Sequence, residues 1–137
     1  MPRKKRNRRI QVPPVIKGMS VYGVRWRKSN EVILHLEEYE VIRLLDYENL
    51  TQEQAAVFMD VSRPTLTRIY EEARNKVATS FVEGRDLIFK GGDIYFEKNW
   101  YKCNDCKASF SDYSAEVKKC PVCSSANLIS LNEFYSD

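Results

Sequence analysis

The spacing of apolar residues changes several times along the chain, and each change marks an element. Residues 1–30 show neither helical nor strand periodicity beyond the pair Val15-Ile16. With Pro2, Pro13, Pro14, Gly18 and Gly23 among them, they read as an extended arm with a disordered end. Val32-Ile33-Leu34-His35-Leu36 is a short apolar stretch leading into a first helix over residues 37–47. There Tyr39, Ile42 and Leu45 share one face, and Glu37, Glu38 and Glu40 crowd the first turn, where negative charge is favoured.

Thr51-x-x-Gln54 is a capping box, in which the threonine hydroxyl accepts from the N–H of Gln54 and the glutamine side chain reaches back. A second helix starts there, carries Ala55, Ala56 and Met59 toward a partner, and stops near Asp60-Val61. Ser62 is a further N-cap, and Pro64 is tolerated only in the first turn of the helix that follows. In this third helix Leu66, Ile69, Tyr70, Ala73, Val77 and Phe81 keep a spacing of three or four until Gly84 offers a C-cap. Leu87-Ile88-Phe89 and Ile94-Tyr95-Phe96 flank Lys90-Gly91-Gly92-Asp93, a pattern that predicts a β-hairpin.

The predicted fold is therefore mainly α. A basic arm at 1–30 precedes a three-helix, helix-turn-helix domain at 31–98 closed by the hairpin, and a small cysteine-bearing domain follows at 99–137.

Net charge is only +3 over 137 residues, which excludes a uniformly basic or acidic class. Its distribution is more telling. Residues 1–30 hold ten basic side chains and no acid, whereas the remainder carries twelve basic against nineteen acidic. No apolar run approaches the roughly 18 residues of a membrane-spanning helix, and the charged N-terminus is not followed by the apolar segment of a signal peptide. A cytoplasmic protein is expected.

The second and third helices have the spacing of a helix-turn-helix, with Ala56 small where the helices touch and Val61 under the turn. Asp60 stands at the turn position often filled by Gly; it tolerates a left-handed backbone less readily than Gly does. Leu66 and Ile69 anchor the third helix, which leaves its front free to enter a major groove. Arg63, Pro64, Thr67 and Arg68 are the candidates for base contacts, because an arginine can give two hydrogen bonds to guanine and a threonine can pack on a thymine methyl. Ser62 and Thr65 lie nearer the phosphates. Arg3, Lys4, Lys5, Arg6, Arg8 and Arg9 supply affinity for double-stranded DNA without sequence information. The alternatives are a helix pair with solvated arginines, a solubilising tail, and an adaptor for RNA or the ribosome.

Met1-Pro2-Arg3, Arg8-Arg9-Ile10, the stretch from Pro13-Pro14 to Gly23, and Glu37-Glu38-Tyr39-Glu40-x-x-Arg43-Leu44-x-Asp46 occur in order. Ser62-Arg63-Pro64-Thr65, Glu83-Gly84-Arg85 and Gly91-Gly92 follow them. Together these motifs resemble the domain of unknown function 134 family, also catalogued as uncharacterised protein family 0251, over residues 1–98. The resemblance implies a prokaryotic source, a helix-turn-helix similar to sigma-factor region 4, and a role in transcription regulation.

All four cysteines fall in Cys103-x2-Cys106-x13-Cys120-x2-Cys123. Each Cys-x-x-Cys turn places two thiolates on one side of a metal, and the spacer lets the turns face each other to complete a tetrahedron around one structural zinc ion. Trp100-Tyr101-Lys102, Phe110, Pro121 and Leu128-Ile129 resemble a rubredoxin-like zinc ribbon, although Lys107 and Ser124 stand where Gly often follows each pair. Iron, or a thiol redox pair in a small redox carrier, remains an alternative. With four Lys against five acids over 99–137, the ribbon suits a protein partner better than a DNA contact. A second copy of the chain is a further open partner.

Nothing is arranged as a catalytic set, and no enzymatic activity is expected. His35, the only histidine, reads as a packed residue, and Gly91-Gly92 as a turn rather than a phosphate loop.

Overall fold

The computed structural model describes residues 7–23, 30–96, 98–112 and 117–135. In chain order the elements are β1 (Arg8–Ile10), β2 (Gly18–Met19), β3 (Val32–Leu34) and α1 (Leu36–Ile42), which runs on into a π-helical turn (Arg43–Tyr47). Then come α2 (Gln52–Met59), α3 (Arg63–Glu83), β4 (Leu87–Phe89) and β5 (Ile94–Phe96). The cysteine-bearing part adds β6 (Asn99–Cys103), β7 (Ser109–Asp112), β8 (Leu128–Ser130) and α4 (Leu131–Tyr135). Three small sheets accompany the helices among the described residues, so a mainly α architecture fits only loosely.

Local chemistry sets the helix boundaries. At α2 the Gln54 N–H donates to Thr51 Oγ1 at 3.1 Å while the Thr51 N–H donates to Gln54 Oε1 at 2.9 Å, so both halves of the capping box form. Ser62 caps α3 by accepting from the Thr65 N–H at 3.3 Å, and Gly84 ends that helix at φ 65°. Asp60 closes α2 in the left-handed region, at φ 57° and ψ 47°, as its place in the turn requires. The first helix is shorter than its periodicity predicts. After Ile42 the Glu48 N–H reaches back five residues to the Arg43 carbonyl at 2.9 Å, which widens the turn, and Asn49 at φ 59° redirects the chain toward α2.

The core forms where these helices meet: Ile10, Leu36, Val41, Leu44, Ala55, Met59, Leu66 and Ala73 are buried together. Phe81, which the helical spacing assigns to the packed face, is 86% exposed, whereas Ser80 beside it is buried, so the face of α3 that packs has rotated away from Phe81 by that turn.

Two further expectations are corrected by long-range pairing. The segment after Asn7 is not an unpaired arm: β1 runs parallel to β5, with Ile10 opposite Phe96, and Gly18–Met19 pairs antiparallel with β4. Ile10 is fully buried, so three residues without visible periodicity are secured by a partner 86 residues away. Nor do the two apolar runs around Gly91-Gly92 pair as a hairpin. β4 is the centre of a sheet between β2 and β3, while β5 joins β1. Gly91 and Gly92 do take positive φ, at 74° and 110°, but they carry the chain from one sheet to another. A side chain at Gly92 would collide with the Glu37 carboxylate, whose oxygen lies 2.1 Å from the place of its Cβ. No helix among the described residues is long and apolar enough to cross a membrane.

Candidate nucleic-acid interface and metal centre

The front of α3 is accessible. Arg63, Pro64 and Arg68 are exposed and Thr65 and Thr67 half-buried, while Leu66, Ile69 and Ala73 on the opposite side are buried against the core. Ser62, Thr65 and Arg68 form one chain of hydrogen bonds, from the Ser62 hydroxyl to Thr65 Oγ1 at 2.9 Å and from Arg68 Nη2 to the same oxygen at 3.3 Å. Arg63 Nη1 pairs with Glu53 Oε1 at 2.8 Å, and both side chains are well over half exposed, so the pair is weak and easily surrendered. The Thr67 hydroxyl faces Gln52 Oε1 at 2.7 Å and the Arg63 carbonyl at 3.1 Å. Gln52 and Glu53, at the start of α2, thus share this surface. Nothing in the residue order singles them out, because a helix's first turn carries no signal of what stands opposite it.

Arg3, Lys4, Lys5 and Arg6 lie outside the described residues. Arg8 and Arg9 are placed differently from the solvated cations expected of an arm. Arg8 Nη1 sits 3.2 Å from Glu37 and 3.3 Å from Asp93 with little of its side chain exposed, and Arg9 Nε donates to the Tyr95 hydroxyl at 3.1 Å. Two carboxylates hold Arg8 in the fold, which removes it from the set available to phosphates.

The acidic group of α1 explains that placement. Glu37, Glu38 and Glu40 are all buried, and each ties the helix to a different segment. Glu37 takes Arg8; Glu38 takes Lys76 of α3 at 2.6 Å and the His35 N–H at 2.8 Å; Glu40 accepts from Arg43 and from the backbone N–H of Gln11. Arg43 in turn donates to Gln11 Oε1 at 3.0 Å. His35 is half-buried, with Nδ1 3.2 Å from the Lys90 carbonyl.

Burial pushes the Glu37 carboxyl above its usual pKa, and the Arg8 guanidinium opposes this only in part. The fold therefore holds the Glu37 proton more tightly than the unfolded chain does. The penalty for ionised Glu37 is complete above its folded pKa and vanishes below the unfolded value, so its stability contribution improves as pH falls through that window. Relative to the parent, Glu37→Gln is expected to lose ground as the solution is acidified. A difference in denaturation free energy that stays constant with pH would contradict this.

The four cysteines gather at two matching knuckles. In the first, the Lys107 N–H donates to the Cys103 carbonyl at 3.0 Å and the Cys103 N–H to the Ala108 carbonyl at 2.9 Å. In the second, Ser124 donates to Cys120 at 2.9 Å and Cys120 to Ser125 at 2.8 Å. Lys107 and Ser124 adopt positive φ, 66° and 63°, so the knuckles close without the glycine usual at these places. Backbone N–H groups point at sulfur from Cys106 to Cys103 at 3.5 Å and from Val122 to Cys120 at 3.4 Å.

The sulfurs of Cys103 and Cys123 are 3.5 Å apart, those of Cys106 and Cys120 3.6 Å, and all four ligand atoms lie within 4.8 Å of one another. Metal–sulfur bonds of about 2.3 Å in a tetrahedron space the sulfurs about 3.8 Å apart, so the set fits a tetrathiolate metal ion. The protonation of the cluster agrees. The Cys106 N–H pulls the Cys103 thiol down to about 7 against the effect of burial. Cys123 is pushed up to about 12, because the Cys103 sulfur, burial and the other two thiols outweigh the N–H of Ser125. Four thiolates cannot coexist at this spacing without a cation, and a divalent ion removes the conflict.

The cysteine module packs against the rest of the chain. Tyr135 of α4 is buried in the main core, and its hydroxyl faces the Pro14 carbonyl at 2.8 Å and that of Ile16. Lys102 Nζ donates to the Val15 carbonyl at 3.2 Å, and the Lys17 ammonium lies 4.2 Å from the centre of the Phe134 ring. Burial raises the Tyr135 pKa further above its ordinary value, so the hydroxyl keeps its proton.

A family model described as "Protein of unknown function DUF134" matches residues 1–97. Among curated relatives, a UPF0251 protein of Methanothermobacter thermautotrophicus is 41% identical over 128 residues, covering 93% of this chain and 67% of the relative. One from Chloroherpeton thalassium is 36% identical over 137 residues, covering 99% and 91%. One from Halothermothrix orenii is 43% identical over 110 residues, covering 80% and 82%. No solved structure matches. The family match takes in the three acids of α1, the capped α2–α3 pair and the strands that brace them, while the second relative aligns through the cysteine knuckles as well; the chain belongs to the DUF134, or UPF0251, family.

Proposed function

We propose that the protein is a sequence-specific DNA-binding regulator of transcription, a helix-turn-helix protein that reads the major groove with the N-terminal turns of α3, and that its four cysteines hold one structural zinc ion. The observation that carries the reading is the division of α3. Arg63, Pro64 and Arg68 are exposed at a Ser62-capped N-terminus, while Leu66, Ile69 and Ala73 fasten the other side and Asp60 makes the tight left-handed turn from α2. Arg63 and Arg68 are then the base readers, Thr67 is aimed by Gln52, and Ser62 and Thr65 meet the phosphates.

Selection of bound duplexes from a random pool, at a stated salt concentration, tests this directly, with RNA as competitor. Recovery of no preferred duplex, or displacement by RNA, would count against it. On the selected site Arg63→Ala or Arg68→Ala is expected to cost about 1–3 kcal/mol, and much less on random DNA, since that is the discrimination of a bidentate arginine–guanine contact. Neither change should lower thermal stability, because both side chains are exposed.

The basic N-terminus acts separately. Deleting residues 2–6 removes four cations while leaving β1 intact, and is expected to weaken binding to all duplexes alike. The salt slope should fall by about one for each phosphate that is no longer neutralised. A changed sequence preference would instead make this segment a reader of the minor groove.

A further inference from the structure

The cysteine module grips one short stretch of the helical part. Pro14 and Ile16 are held by Tyr135, Val15 by Lys102 and Lys17 by Phe134, so four consecutive residues each meet a side chain of the module. The stretch has no helix or strand of its own and joins β1 to β2.

Both of its ends lead elsewhere. Toward the cysteines, Tyr135 sits on α4, which follows β8 without an intervening residue, and β8 pairs with β6 so that Leu128 stands opposite the ligand Cys103. Toward the helices, β1 lies against α1 and α2, with Ile10 fully buried. Arg9 of β1 bonds the Tyr95 hydroxyl, which donates to Asp60 Oδ2 at 3.4 Å, and Asp60 is the left-handed residue of the α2–α3 turn. A continuous path of packed and hydrogen-bonded groups thus runs from the four sulfurs to the turn that sets the angle of α3.

We propose that the tetracysteine centre is an effector site: a thiophilic divalent cation such as Zn2+, by ordering α4 and the Tyr135 clamp on the Pro14 and Ile16 carbonyls, tightens DNA binding by the α2–α3 face. This rests on the DNA-binding reading above. Below about 40 residues a segment seldom folds without a metal or other staple, so metal loss releases β6, β8 and α4 and with them the contacts of Lys102, Phe134 and Tyr135. β1 then keeps its pairing with β5 but loses its brace, and DNA must restore the order that the metal supplied in advance. Such coupling is reciprocal: DNA must tighten the metal by the factor by which the metal tightens DNA.

The test uses the full chain, loaded with one Zn2+ or stripped by a chelator, titrated against the selected duplex at fixed salt. The stripped protein is expected to bind about 5- to 150-fold more weakly, and saturation with DNA to lower Zn2+ transfer to a chromogenic chelator by the same factor. Tyr135→Phe keeps the ring and the cysteines; it should retain one metal, with an unchanged thiolate-to-cobalt spectrum on Co2+ substitution, yet lose most of the coupling. Equal or tighter DNA binding by the stripped protein overturns the proposal while leaving the DNA reading intact, and full coupling in Tyr135→Phe overturns the clamp. Failure of both forms to prefer any duplex overturns the DNA reading and the proposal with it.

Discussion

Glu40→Ala is expected to destabilise the protein by about 3–5 kcal/mol, a large part of the stability of a domain this size. Glu40 is completely buried in α1 and answers two groups at once, the Arg43 guanidinium and the backbone N–H of Gln11. Truncation leaves the Arg43 side chain, itself only 11% exposed, with a distant partner in Glu48 at 3.4 Å and a neutral one in Gln11. It also strands a peptide N–H beside β1. An uncompensated buried cation costs far more than the intact pair contributes, and that asymmetry sets the size of the effect. Urea denaturation should show the midpoint falling with little change in slope. A loss below about 1 kcal/mol would show that β1 and the π-helical turn separate from α1 without penalty.

Removal of the metal ion proposed for the four cysteines should have the other large effect. Chelation is expected to abolish the β6–β7–β8 sheet, since apparent binding free energies at structural zinc sites reach about 10–16 kcal/mol and, among the described residues of this part, only Tyr101 and Leu131 are buried apolar side chains besides two cysteines and Tyr135, which belongs to the main core. The sequence suggests that the helical part is then untouched, because composition breaks at Asn99. The packing indicates otherwise. Tyr135 contributes to the same core as Ile10, Leu66 and Ala73, so the helices should persist after chelation but melt at a lower temperature. Acid should act in the same direction, because protons compete with the metal for the thiolates. Far-ultraviolet circular dichroism with zinc analysis checks both statements. Unchanged melting of the helices after metal loss would show that Tyr135 contributes nothing to their stability.

The metal knuckles and the helix caps were legible in the residue order because their causes are local. Thr51 with Gln54, Ser62 with Pro64, Gly84 and the two Cys-x-x-Cys turns act over three or four residues, and each forms where its chemistry places it. The three acids of α1 were visible as a cluster but not as what they are. Their spacing suits a helix N-terminus, whereas their partners Arg8, Gln11 and Lys76 come from segments that only the fold brings near.

The order of residues by itself determined the three helices of the first part, the left-handed turn at Asp60, the exposed front of α3 and a cluster of four cysteines able to hold a metal ion. Tertiary structure alone decided the rest. It converted an aperiodic basic segment into β1 and β2, kept Leu87–Phe89 from pairing with Ile94–Phe96, and seated Tyr135 in the core of the helical part. The physical reason is the same in each case. A cap or a knuckle has its free energy in bonds between near neighbours, but a three-residue strand has too few of its own to form. Its conformation is settled by an edge and a core brought in from far along the chain, as when Arg8 of β1 pairs with Ile94 and Gly18 of β2 with Ile88.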